Sequence, residues 1–389
     1  MAKSSVSIFA AISVVLLLLV YTSGSMHDYI AYSRQWQSIL TGADPWDATY
    51  DAVGRIPENA YGPVHALLAE LAPLHPLLPK FAMAALTLGV VWIPFGLNAT
   101  TRDRRQAASK LLWLYVLSPV VVVTVFVFGI NDALVGVLFL VTCLLRVRRA
   151  YGWTGVMLGL AALLKFYPIL FTPFFAVSRS GTVKLRTMFA AAATFASGMG
   201  LAWLKWGDSI FTPFLFGDER GPKQLSILKF LNTFEDKLSI EIYVDYLLSV
   251  NSLAVVSAAA VVSVWGWLTR QGWEITGLFG ILVIFMTYKV GHVQFYVSWI
   301  ALYSWILAVS RDERAVSVAR AFAPLAAFLA LYQISYIVSY LQTGAYFLGP
   351  FVWFRVYGSV VLWVVTLWCL RRASSHLGRT VGPRVSISI

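Results

Sequence analysis

Charge is what this sequence has least of. Only 12% of its 389 residues are Asp, Glu, Lys or Arg, where an ordinary soluble domain carries about 25%. With 59% hydrophobic residues and a mean hydropathy of +0.73, such a chain could not cover its own surface in water. Cysteine is almost missing as well. Cys143 and Cys369 each fall near the end of an apolar run. Two lone thiols give neither a disulfide framework nor metal-ligand spacing, and they read as inert buried groups. There is no P-loop, no dinucleotide fingerprint and no nucleophile elbow. No internal repeat stands out, which weakens a transporter reading. The net charge of +12 would suggest nucleic acid only if the bases lined one soluble face. They are spread between apolar runs, so nucleic acid is not an expected partner.

The apolar runs fill almost everything else. They lie at about 7–23, 81–99, 111–129, 132–145, 152–164, 166–177, 187–205, 245–268, 274–290, 295–310, 317–340 and 351–370, against the roughly 20 residues a membrane helix needs. The expectation is an all-α polytopic membrane protein of about twelve helices, one transmembrane domain over residues 1–389. The first run follows Lys3 but has no small-residue cleavage site, so it reads as a retained helix rather than a signal peptide. Two runs, 152–164 and 166–177, are too short: thirteen helical residues rise roughly 20 Å against a core of about 30 Å. One kinked span would put Arg146–Arg149 and Arg179–Arg186 on opposite sides. We therefore expect a V of half-length helices meeting at Lys165-Phe166-Tyr167-Pro168 and lining a cavity, since irregular backbone at that depth needs protein or water around it.

Basic residues give the chain a direction. Lys3, Arg102, Arg104, Arg105, Lys110, Arg146, Arg148, Arg149, Arg179, Lys184, Arg186, Arg270, Arg311, Arg314, Arg320, Arg371, Arg372, Arg379 and Arg384 fall in alternate gaps. They are nineteen of the 30 bases, accompanied by only four of the 18 acids, Asp103, Glu274, Asp312 and Glu313. The positive-inside rule makes that side cytoplasmic, with both termini there. The two long loops, 24–80 and 207–245, are then outside, so the protein is expected to act on the extracytoplasmic face of a plasma membrane.

The candidate chemistry sits in those loops. Asp28 lies just past the first run, followed by Tyr29, Tyr32 and Trp36 on one helical face, the pattern of a helix at the membrane interface. A carboxylate there can act as a general base, or simply cap the helix. In the second loop Arg220 and Lys223 can grip a phosphate; a solvated loop of mixed charge is the plainer reading. Asn131 and Asp132 occupy a tight turn. Lys289, His292 and Gln294 share one outer segment, and His292 suits a hydrogen-bonded structural role as well as ligand contact. Ionisable groups at membrane depth are functional candidates, though Lys165 can also snorkel to the interface. No His/Asp cluster supports a metal site.

Taken together these segments resemble the GT-C glycosyltransferases, and within them the polyprenol-phosphate-mannose-dependent α-mannosyltransferases. Those include the mycobacterial phosphatidylinositol-mannoside polymerising type and the first mannosyltransferase of GPI-anchor assembly. The resemblance is carried by Asp28-Tyr29, Gly42-Ala43-Asp44-Pro45-Trp46, Tyr61-Gly62-Pro63, Asn131-Asp132, Lys165-Phe166-Tyr167-Pro168, Asp218-Glu219-Arg220 and Lys289-Val290-Gly291-His292-Val293-Gln294-Phe295, in that order. It implies a GT-C fold with large first and fourth outer loops and a hexose, mannose by this likeness, transferred from a polyprenyl-phosphate donor to a lipid or glycan acceptor. Asp28 would be the catalytic base. Arg220, Lys223, Lys289, His292 and Gln294 would contact the donor or its phosphate, with Lys165, Asn131, Asp132 and Tyr61 lining the cavity. A lipid-linked donor needs no soluble nucleotide-sugar domain. Two features depart from the GPI enzymes. Position 26 is Met rather than a second acid, which favours a base mechanism without a divalent metal, and the second loop lacks their Asn-Phe-Ser stretch. The alternative is a transporter or flippase for a lipid-linked saccharide.

Overall fold

The computed structural model describes residues 3–26, 28–46, 48–51, 54–57, 61–214, 221–344 and 347–377. Apolar sequence in lipid must satisfy its backbone internally, so it folds as helix, and each apolar run is met by one. In chain order these are α1 (Lys3–Ser23), α2 (Asp28–Leu40), the short α3 (Pro63–Ala66), α4 (Leu78–Gly89), α5 (Thr101–Leu111), α6 (Pro119–Val121), α7 (Asp132–Val147), α8 (Tyr151–Leu164), α9 (Thr172–Ala176) and α10 (Leu185–Trp206). There follow α11 (Ile227–Leu238), α12 (Glu241–Ser249), α13 (Asn251–Leu268), α14 (Trp273–Thr287), α15 (Tyr296–Val309), α16 (Glu313–Ala321), α17 (Ala323–Thr343) and α18 (Val352–Leu377). Strand pairing among the described residues is slight: a hairpin of β1 (Ala48–Asp51) and β2 (Gly54–Pro57), and a two-residue parallel pair of β3 (Lys223–Gln224) and β4 (Val290–Gly291).

Several boundaries differ from the sequence expectation. The run at 111–129 bends by 59° between Val116 and Pro119, because Ser118 is extended ahead of Pro119. The run at 317–340 divides at Phe322, where Pro324 opens a new helix in its first turn. Residues 245–250 belong to α12 and its end, and the helix expected from 245 starts at Asn251.

The short pair of runs forms the expected V. α8 and the segment of 3-10 helix and α9 over residues 167–176 meet at Lys165. Their far ends return to the same place: Arg146, in the last turn of α7, donates from its guanidinium to Phe175 O at 2.8 Å and to Val177 O at 3.1 Å. α8 packs on α10 through Gly155 and Gly159, where an added Cβ would meet Thr187 O at 2.2 Å and Thr194 Cβ at 2.7 Å.

α7, α14 and α15 run between two chemically different ends. One end gathers Arg104, Lys110, Arg148 and Arg311 around a cavity of about 590 Å³. Arg179 pairs there with Asp312, and Ser310 donates to Glu274 at 3.0 Å. The other end holds Asp28, Asp132, Lys165 and Gln294.

One close approach fixes the first loop to that second end. Gly62 N donates to Leu164 O at 3.2 Å, and a Cβ on Gly62 would lie 2.0 Å from Leu163 O. Gly62→Val is therefore expected to cost at least the 1–3 kcal/mol or so typical of overpacking. Gly200, with open space around it in α10, should gain roughly 0.5–1 kcal/mol on Gly200→Ala. Thermal unfolding of the detergent-purified variants should move in opposite directions, and a Gly62→Val protein as stable as wild type would contradict this packing.

Candidate functional site

Asp28 is the first residue of α2, half-buried where that helix begins. The aromatic spacing gives one face, as expected, but the face bearing Tyr29, Tyr32, Gln35 and Trp36 is buried inside the protein and not laid in the membrane interface. It faces protein rather than lipid. Tyr29 donates to Pro76 O at 2.7 Å, and Tyr32 to Asn131 Oδ1 at 3.2 Å. Beside it, fully buried Lys80 donates to Ser23 Oγ at 2.7 Å, Gly24 O at 2.8 Å and Val127 O at 2.6 Å. One ammonium thus ties the end of α1 to the chain after α6. Cations suit such positions, because carbonyls at helix C-termini carry partial negative charge.

The predicted cavity residues converge around a buried ion pair. Lys165 Nζ lies 2.5 Å from Asp132 Oδ2, the side chains being 11% and 0% exposed. Tyr167 donates to Asp132 Oδ1 at 2.8 Å, and its oxygen is 3.1 Å from Ser298 Oγ. Asp132 opens α7, where the helix dipole also favours a carboxylate. The Lys165 ammonium sits 4.5 Å from the Phe295 ring centre and 5.4 Å from that of Tyr61. Tyr61 is held by its carbonyl, which accepts from Trp46 Nε1 at 2.9 Å. Asp44 in turn accepts from Trp46 N at 2.9 Å, so the Asp44-Pro45-Trp46 turn fixes what lines the pair.

His65 completes this wall. It is fully buried among Tyr32, Trp36 and Tyr61, with Nδ1 3.4 Å from Asn131 Nδ2. Burial, then the Lys165 charge, lowers its pKa to about 3, so the ring is neutral at physiological pH.

Gln294 connects the two loops to Asp28. Its Nε2 donates to Asp28 Oδ2 at 3.4 Å, and Tyr32 and Tyr336 lie within electrostatic range of the same carboxylate. The second loop reaches this segment by main chain: Lys223 N donates to Lys289 O and Leu225 N to Gly291 O, each at 2.9 Å. Gly291 permits the approach, since a Cβ would sit 2.3 Å from Ser226 N. Gln224 Oε1 accepts from Val293 N at 3.3 Å. Lys289 is buried, its N–H donating to Asn251 Oδ1 at 2.9 Å, and His292 packs edge-on to Phe295.

Asp28, Asn131, Asp132, Lys165, Tyr61 and Gln294 are therefore brought together, with Lys223 in the adjoining strand pair and Lys289 and His292 on either side of β4. Arg220, with Asp218 and Glu219, lies outside the described residues. Sequence reasoning assigned no role to His65, Lys80, Tyr167 or Gln224. Lys80 alone carried a signal, a cation at the mouth of an apolar run. Among the described residues no group of three or more His, Cys, Asp or Glu is placed to hold a metal ion. The 590 Å³ cavity at the basic end includes none of the residues gathered around Asp28, so the chemistry, not the size of a hollow, places the candidate site.

Comparison with known proteins gives a family. The profile of glycosyltransferase family 87 matches residues 59–287, more than half of the chain. Among solved structures, the fold is similar to the crystal structure of ArnT from Cupriavidus metallidurans bound to undecaprenyl phosphate, with a TM-score of 0.49 and 12% identity over 97% of this chain and 77% of that one. A search of curated proteins found no match.

Two measurements test this geometry. Removing one member of a buried ion pair costs about 3–5 kcal/mol, whereas replacing both with apolar groups can be nearly neutral. Lys165→Met and Asp132→Leu should each lower the unfolding temperature sharply, and the double variant should recover much of the loss; additive losses would contradict the pairing. For His65, the folded pKa of about 3 lies below the ordinary 6.5. Its contribution is present above pH 6.5 and lost as pH falls towards 3. Wild type should therefore lose more stability between pH 7 and 4 than His65→Phe does.

Proposed function

The chain belongs to glycosyltransferase family 87, and from that premise we propose that it transfers a hexose, mannose in the first instance, from a polyprenyl-phosphate donor to a lipid or glycan acceptor, with Asp28 as general base. The observation that carries this reading is the setting of Asp28. Its carboxylate is half-buried at the start of α2 and reached by Gln294 from the distant segment that leads into α15. Asp132, the other acid nearby, is fully enclosed and already bonded to Lys165 and Tyr167. Enclosed and bonded in this way, it is out of reach of an acceptor hydroxyl and is read as a structural acid.

In the reaction Asp28 takes the proton of the acceptor hydroxyl as that oxygen attacks the anomeric carbon. The bond from that carbon to the phosphate oxygen breaks, and the lipid phosphate leaves with the electron pair. Attack opposite the leaving group inverts the anomeric centre. Lys223 and Lys289 offset the charge that develops on the phosphate. His292 and Gln294 orient the donor, and Arg220 joins them as a phosphate ligand. The walls from Tyr61, Asn131 and Lys165 shape the space for the sugar. With Met26 where a second acid would stand, one carboxylate serves as base and no divalent metal is required.

The bases gathered at the opposite end of α7 and α14 support an orientation by the positive-inside rule. That end, with both termini, faces the cytoplasm, and Asp28 faces the extracytoplasmic side of the plasma membrane.

Membranes supplied with polyprenyl-phosphate-[³H]mannose should form labelled lipid or glycan with wild type. With Asp28→Asn, the initial rate should fall about 10²–10⁴-fold, the usual contribution of general-base catalysis. Equal labelling by the two proteins would remove Asp28 from the mechanism. Movement of labelled lipid without a new glycosidic bond would mark a flippase. Activity should survive EDTA, and loss that Mg²⁺ or Mn²⁺ restores would refute the metal-free reaction.

A further inference from the structure

The second long loop brings more positive charge to this end of the molecule than the reaction above uses. α11 follows β3 directly and lies against the first turns of α18, with Phe230 and Phe234 6.0 and 6.2 Å from the ring of Tyr357. This packing brings Lys229 of α11 within electrostatic range of Arg355 of α18 and Lys223 of β3. Two successive elements of the second loop and one distant helix thus deliver three cations to one region. Lys223 and Arg355 are exposed, and Lys229 is half-buried. Among the described residues the acid that bears on Lys229 is Glu235, whose Oε1 already accepts from Asn232 Nδ2 at 2.6 Å. Partial burial, then Arg355 and Lys223, hold the Lys229 ammonium below its ordinary pKa. At the start of α11 the Ser226 hydroxyl is buried, has no hydrogen-bond partner and leaves the helix uncapped. Cations crowded by aromatic packing repel one another until an anion sits among them.

The surroundings indicate what carries the anion. Trp353 is 65% exposed beside Arg355, and Ile242, Tyr243 and Tyr246 of α12 are 76%, 67% and 65% exposed. Exposed aromatic and aliphatic side chains beside lysine and arginine mark the headgroup level of a bilayer. A small dissolved anion would need no such rim. We propose that Lys223, Lys229 and Arg355 form a binding site for a lipid-borne phosphate, reached sideways from the bilayer beside α11 and the start of α18. The inference rests on the glycosyl-transfer reading for its role: β3 is bonded to the segment that carries Gln294, so a phosphate held here lies on the approach to Asp28. Two lipids carry the required group, the polyprenyl phosphate of the donor and a phospholipid headgroup.

Binding without turnover tests the site. Full-length Asp28→Asn protein in detergent, with and without Lys229→Gln and Arg355→Gln together, is titrated with undecaprenyl phosphate, with phosphatidylglycerol and with uncharged undecaprenol, and bound lipid is read by native mass spectrometry. The two neutral substitutions should weaken phosphate-bearing lipid about tenfold or more and leave undecaprenol unchanged. Lys229→Arg with Arg355→Lys should retain the binding. Loss confined to undecaprenyl phosphate identifies the donor as the source, and loss confined to phosphatidylglycerol identifies a phospholipid headgroup. Unchanged affinity for both, or an equal loss for undecaprenol, overturns the proposal. Because no chemistry is read, a failed transfer assay leaves this outcome standing, and the reverse also holds.

Discussion

A cation in an apolar bundle must find its counter-charge within reach of its own side chain, and much of the candidate site follows from the way Lys165 meets that demand. Asp132 answers it from the first turn of α7. The backbone becomes extended at Lys165, so α8 ends there and the chain turns back. The turn frees the carbonyls of Leu163 and Leu164 to receive the Gly62 segment. That segment brings Tyr61 over the ammonium and His65 against Asn131. A single electrostatic requirement thus fixes the tip of the V, the seat of the first loop and one wall of the space beside Asp28.

Asp28 depends on a different anchor. Lys80 gathers carbonyls from the end of α1 and from Val127, which sets the level at which α2 begins. Gln294 then approaches from a segment held to the second loop by β3 and β4. The Asp28 carboxylate is placed by the ends of helices and by main-chain pairing, while the apolar faces hold the bundle together. Binding residues on loops carried by a rigid scaffold are the common arrangement.

Features with a local signature were legible in the sequence. That one face of α2 is aromatic followed from residue spacing, the turn of the V at Lys165 from two short apolar runs, and the gathering of bases at one end from their alternation between gaps. Contacts between distant segments had no such signature. Nothing local marks Lys165 as the partner of Asp132, or pairs Lys223 with Val290. His65 was silent because its role comes from three aromatic rings on other turns. The helix breaks at Phe322 and near Val250 were missed because hydropathy is continuous across them, and a proline in a first turn weighs little in an apolar average. Arg355 was hidden in another way, as an isolated cation at the mouth of a long apolar helix, given meaning only by α11 lying beside it.

The V also bears on how the chain is made. α8 and the segment after it run out to Lys165 beside Asp132 and back to the Arg146 end of α7, so this stretch enters and leaves at the same end, with a charged residue at its apex. Asp132 precedes Lys165 by 33 residues and emerges first from the ribosome. The hairpin can therefore enter beside an α7 that already presents its carboxylate, and the two charges can go in as a neutral couple. Chain order makes the earlier helix a receptor for the later one, and a rearranged gene that placed the V ahead of α7 would ask the membrane to accept a bare ammonium.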